Sequence, residues 1–264
     1  MNLKKVKKDV FFIKTNQYEI KWEDEQHTED LILNADVVMK SPGIPEKAPL
    51  VKKLLEKGIP VISEIEFAYP FTKAKTIGIT GSNGKTTTTM LTYHLLKEGG
   101  LNVGLGGNIG KSFAWQVAEE NYDCYVLELS SFQLDGIINY KPDIAILTNI
   151  SPDHLDRYEY KYENYIASKF RITMNQTEDD FFIYDADDEA ISAWLQNNKT
   201  KAKLIPFSLK KKYEIGGFIN NDTMEMYINE EEFTMETKTM ALEGKHNMKN
   251  AMAATSVAQL MRIR

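Results

Sequence analysis

The chain has 264 residues, 42% hydrophobic and 27% charged, with a formal net charge of −6. That composition belongs to a globular chain of one large or two modest domains, and the negative balance argues against a nucleic-acid partner, because phosphate backbones reward a basic face. One cysteine, Cys124, excludes an internal disulfide and a cysteine-rich metal site, and no apolar run reaches the roughly 18 residues of a membrane span, so no membrane insertion and a cytoplasmic location are expected.

Residues 4–8 form a basic run read as a solvated terminus, and Val10-Phe11-Phe12-Ile13 is too short for the apolar region of a signal peptide. Residues 36–39 read as a short strand running into Ser41-Pro42-Gly43-Ile44-Pro45, a loop punctuated by two prolines. Leu50, Val51, Leu54 and Leu55 recur at helical spacing, Gly58 stops that helix, and 59–62 starts the next strand. Pro70-Phe71-Thr72 is a linker candidate, so residues 1–66 are expected to form a partial α/β domain and 67–264 a second, larger one.

From residue 75 strands and helices alternate: strand 76–80, helix 85–98 ended by Gly99-Gly100, strand 101–105, helix 112–119, strands 122–129 and 143–149, helix 162–173, strand 180–184, helix 188–197 and strand 203–207. Near-continuous apolar strands in such an alternation predict an α/β fold, a mostly parallel sheet with helices on both faces. Residues 216–242 alternate polar with apolar around a turn at Asn229-Glu230, which predicts antiparallel strands at the sheet edge. A last helix is expected over 246–261. Nothing repeats along the chain, and no heptad suggests more than a monomer.

The strongest motif is Thr80-Gly81-Ser82-Asn83-Gly84-Lys85-Thr86-Thr87, which follows a strand and opens a helix. Gly81 and Gly84 let the backbone turn so that the N–H groups of Ser82, Asn83 and Gly84 can face phosphate oxygens at the positive end of the helix. Lys85 can reach the β and γ phosphates and the Thr86 hydroxyl can ligand Mg²⁺. The spacing departs from the common loop of this kind, because position 79 is Ile rather than Gly.

Other candidates follow later strands. Glu128, at the end of strand 122–129, is placed to hold Mg²⁺ or is a solvent-exposed strand-end acid. His154 lies between Asp153 and Asp156 past the next strand, where a metal or phosphate contact competes with a surface role. Lys169 reads, on the residues alone, as a solvated helix lysine. The glycine-dense run 104–110, containing Asn108, allows a ligand close to backbone or makes a plain strand-to-helix turn. Asn247 and Asn250, three apart, share one face of the last helix, with Asn247 also a candidate helix cap.

Gly-Ser-Asn-Gly-Lys-Thr-Thr with its shifted glycine resembles the Mur ligase and folylpolyglutamate synthase superfamily, whose members join an amine to a carboxylate through an acyl phosphate. From about residue 29 onward further motifs resemble the Mur ligases in family order. They are Ser41-Pro42-Gly43-Ile44, Gly106-Gly107-Asn108-Ile109-Gly110, Leu127-Glu128-Leu129-Ser130-Ser131-Phe132-Gln133-Leu134, Asp153-His154-Leu155-Asp156-Arg157-Tyr158 and Gly244-Lys245-His246-Asn247-Met248-Lys249-Asn250-Ala251. The glycine run with the octad around Glu128 points to the D-glutamate-adding branch. The resemblance implies a P-loop central domain after a partial Rossmann-like N-terminal domain, and a cytoplasmic, ATP-dependent ligase of peptidoglycan precursor synthesis with UDP-N-acetylmuramoyl-L-alanine and D-glutamate as substrates. It implies two Mg²⁺ ions held by Thr86, Glu128, His154 and a carbamylated Lys169. It gives Lys85, His154 and Lys169 the catalytic work and places ATP on residues 81–87 and on Asn247 and Asn250. The substrate falls to Asn108, Ser130 and Arg157, and Ser41, Pro42 and Gly43 touch its UDP moiety.

Two departures shape the expectation. Residues 1–28 contain no glycine, whereas the family opens with a glycine-rich turn, and the sequence stops where the family's third domain would follow. The chain alone is therefore expected to bind ATP and to ligate negligibly. The rival readings are a folylpolyglutamate synthase-like ligase, which would lack the Gly-Gly-Asn-Ile-Gly and Ser-Pro-Gly-Ile segments, and a non-catalytic nucleotide-binding fragment.

Overall fold

The structure, a computed structural model, describes residues 11–14, 19–23, 27–240 and 243–263, so the basic run 4–8 lies outside the described residues. They divide into two units, one made of the described residues up to 39 with 44–61, the other of 40–43 with 62–263.

In the first unit β1 (Phe11–Lys14) and β2 (Glu19–Trp22) pair antiparallel, an element that the sequence reading left unassigned. They are followed by α1 (Glu29–Ile32), β3 (Val38–Met39), α2 (Pro49–Glu56) and β4 (Val61–Ile62). Pro49 starts α2, where its fixed φ suits a first turn and its missing N–H costs nothing. Val51 and Leu54 are the buried stripe of α2, and Gly58, at φ 71°, takes the chain out of it. Val38 N–H donates to the Pro60 carbonyl at 2.9 Å.

The second unit runs α3 (Glu64–Ala68), β5 (Lys75–Thr80), α4 (Lys85–Glu98), β6 (Val103–Gly107), α5 (Phe113–Glu119), β7 (Cys124–Glu128), α6 (Ser131–Asp135), β8 (Ile144–Leu147) and α7 (Tyr162–Phe170). Then come β9 (Phe181–Asp185), α8 (Glu189–Asn197), β10 (Lys203–Ser208), β11 (Gly216–Asn220), β12 (Thr223–Ile228), β13 (Glu231–Glu236) and α9 (Lys245–Leu260). Nine strands make one sheet in the order β13-β12-β11-β10-β9-β8-β5-β7-β6. It is parallel from β6 to β11; β12 and β13 pair antiparallel at the edge.

Strand β7 shows why helices cover both faces. All five of its residues are buried, and alternate side chains enter different cores. Tyr125 and Leu127 pack with Phe113 of α5, Leu134 of α6, Tyr165 of α7 and Ile191 of α8. Cys124 and Val126 pack with Leu96 of α4 and Met252 and Val257 of α9.

Some elements differ from expectation. The second strand of the unit begins at Val103 rather than at 101, because Leu101 and Asn102 follow the helix-ending glycines as a connection. Helices α3 and α6, too short for a periodicity to register, were not foreseen; each is started by a serine cap, Ser63 and Ser130. The stretch read as a linker holds a 3₁₀ turn, Tyr69–Phe71. Strand β11, expected among antiparallel neighbours, joins β10 in parallel and β12 antiparallel, so it is where the sheet changes direction.

Candidate active site

Parallel strands β7, β5, β8 and β9 end side by side on one rim, and the segments leaving them carry most of the candidate residues. Two glycines of the loop after β5 are dictated by space. Gly81 has φ 149°, and a β-carbon there would lie 2.0 Å from the Thr148 hydroxyl; Gly84 has φ 79°, and a β-carbon there would lie 2.6 Å from Oδ1 of Asn250. The loop is tied to the segment after β8: the N–H of Ser82 donates to the Asn149 carbonyl (2.9 Å), that of Asn83 to Asn149 Oδ1 (2.9 Å), and the Thr148 hydroxyl to the Asn83 carbonyl (2.7 Å). Ser82 Oγ donates to the Ser151 carbonyl and lies 3.1 Å from the Tyr165 hydroxyl.

Two ammonium groups meet on this loop. Lys85 donates to the carbonyls of Gly81 (2.9 Å) and Ser82 (2.8 Å), while Lys169 donates to the same Gly81 carbonyl (2.9 Å) and to the Thr80 hydroxyl (3.3 Å). Lys169 is 2% exposed, so it is not the solvated helix lysine of the simplest reading. Burial, and after it the charge of Lys85, bring its pKa down to about 7, against the upward pull of Asp153, Asp135 and Glu128. Burial also lowers Lys85, opposed by Glu128 and Asp153.

Glu128 ends β7 and is 2% exposed, not a solvated strand-end acid. The Thr86 hydroxyl donates to its Oε2 (2.7 Å) and the Asn108 amide to its Oε1 (3.0 Å), while Asn108 N–H binds its carbonyl (2.8 Å). Gly107, at φ 90°, allows that approach, because a β-carbon would lie 2.2 Å from the Glu128 carbonyl oxygen. The space beside Gly104 and Gly106 is filled by Gln116, Tyr122, Tyr125 and Lys111, so those glycines serve the protein's own packing. Thr86 and Glu128 together offer hard oxygen donors of the kind that Mg²⁺ takes. Among the described residues no group of three His, Cys, Asp or Glu side chains could hold a metal ion. Thr87 sits half-buried in the first turn of α4.

Asn250 is buried against the loop: its Oδ1 accepts from the Thr88 hydroxyl at 3.2 Å, and its Nδ2 reaches Asn247 Oδ1 at 3.4 Å. Asn247 is not the helix cap, which is Gly244; its amide donates to the Glu243 carbonyl.

Among the described residues no hydrogen bond or ion pair joins His154 to Lys85, Glu128 or Lys169, while its neighbour Asp153 acts electrostatically on both lysines. His154 adopts the left-handed conformation (φ 49°), its ring packs on Phe132 with centroids 5.2 Å apart, and its Nε2 lies 3.5 Å from Asp153. The guanidinium of Arg157 covers the same Phe132 ring at 4.3 Å and donates to the carbonyls of Pro42 (3.3 Å) and Gly43 (3.5 Å), next to exposed Ser41. Ser130 caps α6 in a reciprocal pair with Gln133.

Sequence reasoning missed four contributors. Phe132 lies inside the octad around Glu128, Tyr165 precedes Lys169 by one helical turn, and Thr148 and Asn149 follow β8 beside the loop. The four-residue spacing of Tyr165 from Lys169 was the available signal for one of them, since such residues share a helix face; the ammonium lies 5.2 Å from the Tyr165 ring centroid.

Residues 79–258 match the family model of the Mur ligase middle domain. The chain is 65% identical over 246 residues to the UDP-N-acetylmuramoylalanine--D-glutamate ligase of Christiangramia forsetii, covering 93% of this chain and 55% of that protein. It is 54% identical over 254 residues to the ligase of the same name from Bacteroides fragilis, covering 96% and 57%. The chain thus spans a little over half the length of these curated relatives. Among solved structures it resembles a UDP-N-acetylmuramoyl-L-alanyl-D-glutamate--2,6-diaminopimelate ligase (TM-score 0.62, 20% identity, covering 86% of this chain and 57% of that one). It also resembles MurF ligase of Thermotoga maritima in complex with ADP (TM-score 0.53, 16% identity, 88% and 64%).

Proposed function

The chain belongs to the Mur ligase family, and from that premise we propose that it serves an ATP-dependent ligase that joins D-glutamate to UDP-N-acetylmuramoyl-L-alanine in peptidoglycan precursor synthesis. The observation that carries this reading is the meeting of Lys85, Lys169, Thr86 and Glu128 around the Gly81 loop. The identity to ligases of that name supports the choice of D-glutamate. The first unit is assigned to UDP-substrate binding and the second to ATP binding. No helix among the described residues is long and apolar enough to cross a membrane, and the reaction is assigned to the cytoplasm, with the chain a monomer.

In this mechanism an oxygen of the substrate carboxylate attacks the γ-phosphorus of ATP, the bond to the bridging oxygen breaks, and ADP leaves an acyl phosphate. The amine of D-glutamate then attacks the acyl carbon, phosphate departs, and the nitrogen loses a proton to give the amide. Lys85 and the N–H groups that open α4 hold the polyphosphate, whereas those of Ser82 and Asn83, expected from the sequence to face it, are bonded to Asn149. Asn247 and Asn250 flank the nucleotide beside Gly84. Asn108, Ser130 and Arg157 orient the muramoyl-alanine carboxylate, and Ser41, Pro42 and Gly43 meet the UDP moiety. Thr86, Glu128, His154 and Lys169 would hold two Mg²⁺ ions, which would supply charge neutralisation at the phosphate oxygens. Lys169 serves as a carbamate: its neutral amine adds to CO₂, a nitrogen–carbon bond forms, and one proton is released. A buried lysine with a pKa of about 7 is half-neutral in the physiological range, which suits that step.

Titration calorimetry tests the reading. Mg·ATP is expected to bind the folded chain, Lys85→Ala and Glu128→Ala to weaken that binding by at least tenfold, and UDP-N-acetylmuramoyl-L-alanine to be preferred to a folate. A folded chain indifferent to Mg·ATP, or one preferring the folate, would overturn it. The carbamate is sought separately as a ¹³C resonance under ¹³CO₂ that disappears in Lys169→Met.

A further inference from the structure

One buried ion cluster near the loop has no part in the mechanism above. Asp185 ends β9, is 3% exposed, and accepts two hydrogen bonds from the Lys249 ammonium, at 2.9 and 2.7 Å. The same ammonium lies 3.3 Å from Asp187, whose carboxylate also accepts from the Ser208 hydroxyl and the Leu209 N–H at the end of β10. Two carboxylates therefore face one ammonium whose side chain is 21% exposed.

Such a cluster is an inefficient stabiliser, because stripping water from three charges offsets most of their attraction. It is well suited to fixing register. The rest of α9 packs mainly through Met252, Ala253 and Val257, apolar side chains whose contacts are less directional than a hydrogen bond. The hydrogen bonds of Lys249 are lost if the helix slides. The next residue, Asn250, lies roughly 100° further round the helix and points at the loop, over Gly84 and onto Thr88. A polar pin on one side of the helix thus sets where the adjacent amide lands on the other.

We propose that Lys249 is a positioning residue for the phosphate loop: by pinning α9 to Asp185 and Asp187 it holds Asn250 against Gly84, and this placement sets the affinity for the polyphosphate of a nucleotide. The proposal rests on the nucleotide-loop reading above and adds a residue to it. Asn250 transmits the effect, so a double-mutant cycle separates it from a general loss of stability.

The experiment measures Mg·ATP and Mg·tripolyphosphate affinities for the wild type, Lys249→Met, Asn250→Ala and the double variant, with unfolding curves for each. Each single change is expected to weaken both ligands about tenfold, as loss of an aligned hydrogen bond to a charged group does. The double variant should bind no more weakly than Asn250→Ala, and Lys249→Arg should recover part of the loss. Additive losses, or wild-type affinity in folded Lys249→Met, would overturn the proposal while leaving the loop reading intact. A wild type that binds neither ligand would overturn both. Should Lys249→Met fail to fold, Asp185→Ala, which removes both hydrogen-bond acceptors of the Lys249 ammonium, replaces it in the same cycle, and wild-type affinity or additive loss there is equally fatal.

Discussion

Lys169 carries a long, flexible side chain that ordinarily seeks water, yet here it ends against the Gly81 carbonyl with 2% exposure. Its pKa is held at about 7 against an ordinary 10.5. Below about 7 the folded and unfolded chains both carry the charge, and the full cost of burying an ammonium is present. Between 7 and 10.5 the unfolded chain binds the proton that the folded one has released, so stability rises with pH; above 10.5 both are neutral and the cost is gone. Urea unfolding of the wild type between about pH 7 and pH 9 should show this rise, and Lys169→Met should remove it. A wild type and variant with parallel pH profiles would contradict the assignment. Gly84 is the second informative residue. Alanine there must adopt φ 79° and place its methyl group 2.6 Å from Asn250 Oδ1, so Gly84→Ala is expected to cost about 1–3 kcal/mol in unfolding assays and to weaken Mg·ATP more than tenfold.

At the scale of elements, legibility depended on how local the cause was. The loop between β5 and α4 could be read because strand, glycines, lysine and helix start lie within a dozen residues, and their order alone implies an anion site. Helix α6 could not, being five residues long with no period to detect. What starts it is the reciprocal bonding of Ser130 and Gln133, visible only as a four-letter spacing inside a motif read for other reasons. Ser130→Ala is expected to cost about 1 kcal/mol in a denaturant midpoint. If Ser130 also meets substrate, as proposed, the same change weakens UDP-N-acetylmuramoyl-L-alanine without altering Mg·ATP affinity. The glycine run at the end of β6 shows the reverse case. Its composition suggested room for a ligand, and the structure fills two of its positions with Gln116 and its neighbours.

Within the larger unit, distant segments are joined by buried polar groups whose partners no sequence window contains. The Glu66 carboxylate of α3 accepts the backbone N–H groups of Ile138, Asn139 and Tyr140 at 2.8–3.0 Å, across more than seventy residues. Glu66→Leu leaves those donors unsatisfied and should cost about 3 kcal/mol or more, measured by chemical denaturation, with Glu66→Gln milder. An unfolding midpoint unmoved by the leucine would mean that water replaces the carboxylate. The sequence by itself determined most of the strand and helix succession from residue 75 onward, the covering of both sheet faces and the glycine loop between β5 and α4, because hydrophobic period and turn chemistry are written in neighbouring letters. Tertiary structure alone decided which of the candidate residues come into contact. Lys169 is buried by Thr80 and Gly81, nearly ninety positions away, Glu128 is held by Thr86 and Asn108, and His154 is turned onto Phe132. Desolvation and charge proximity depend on distance through space, and a sequence fixes that distance only once the chain has folded.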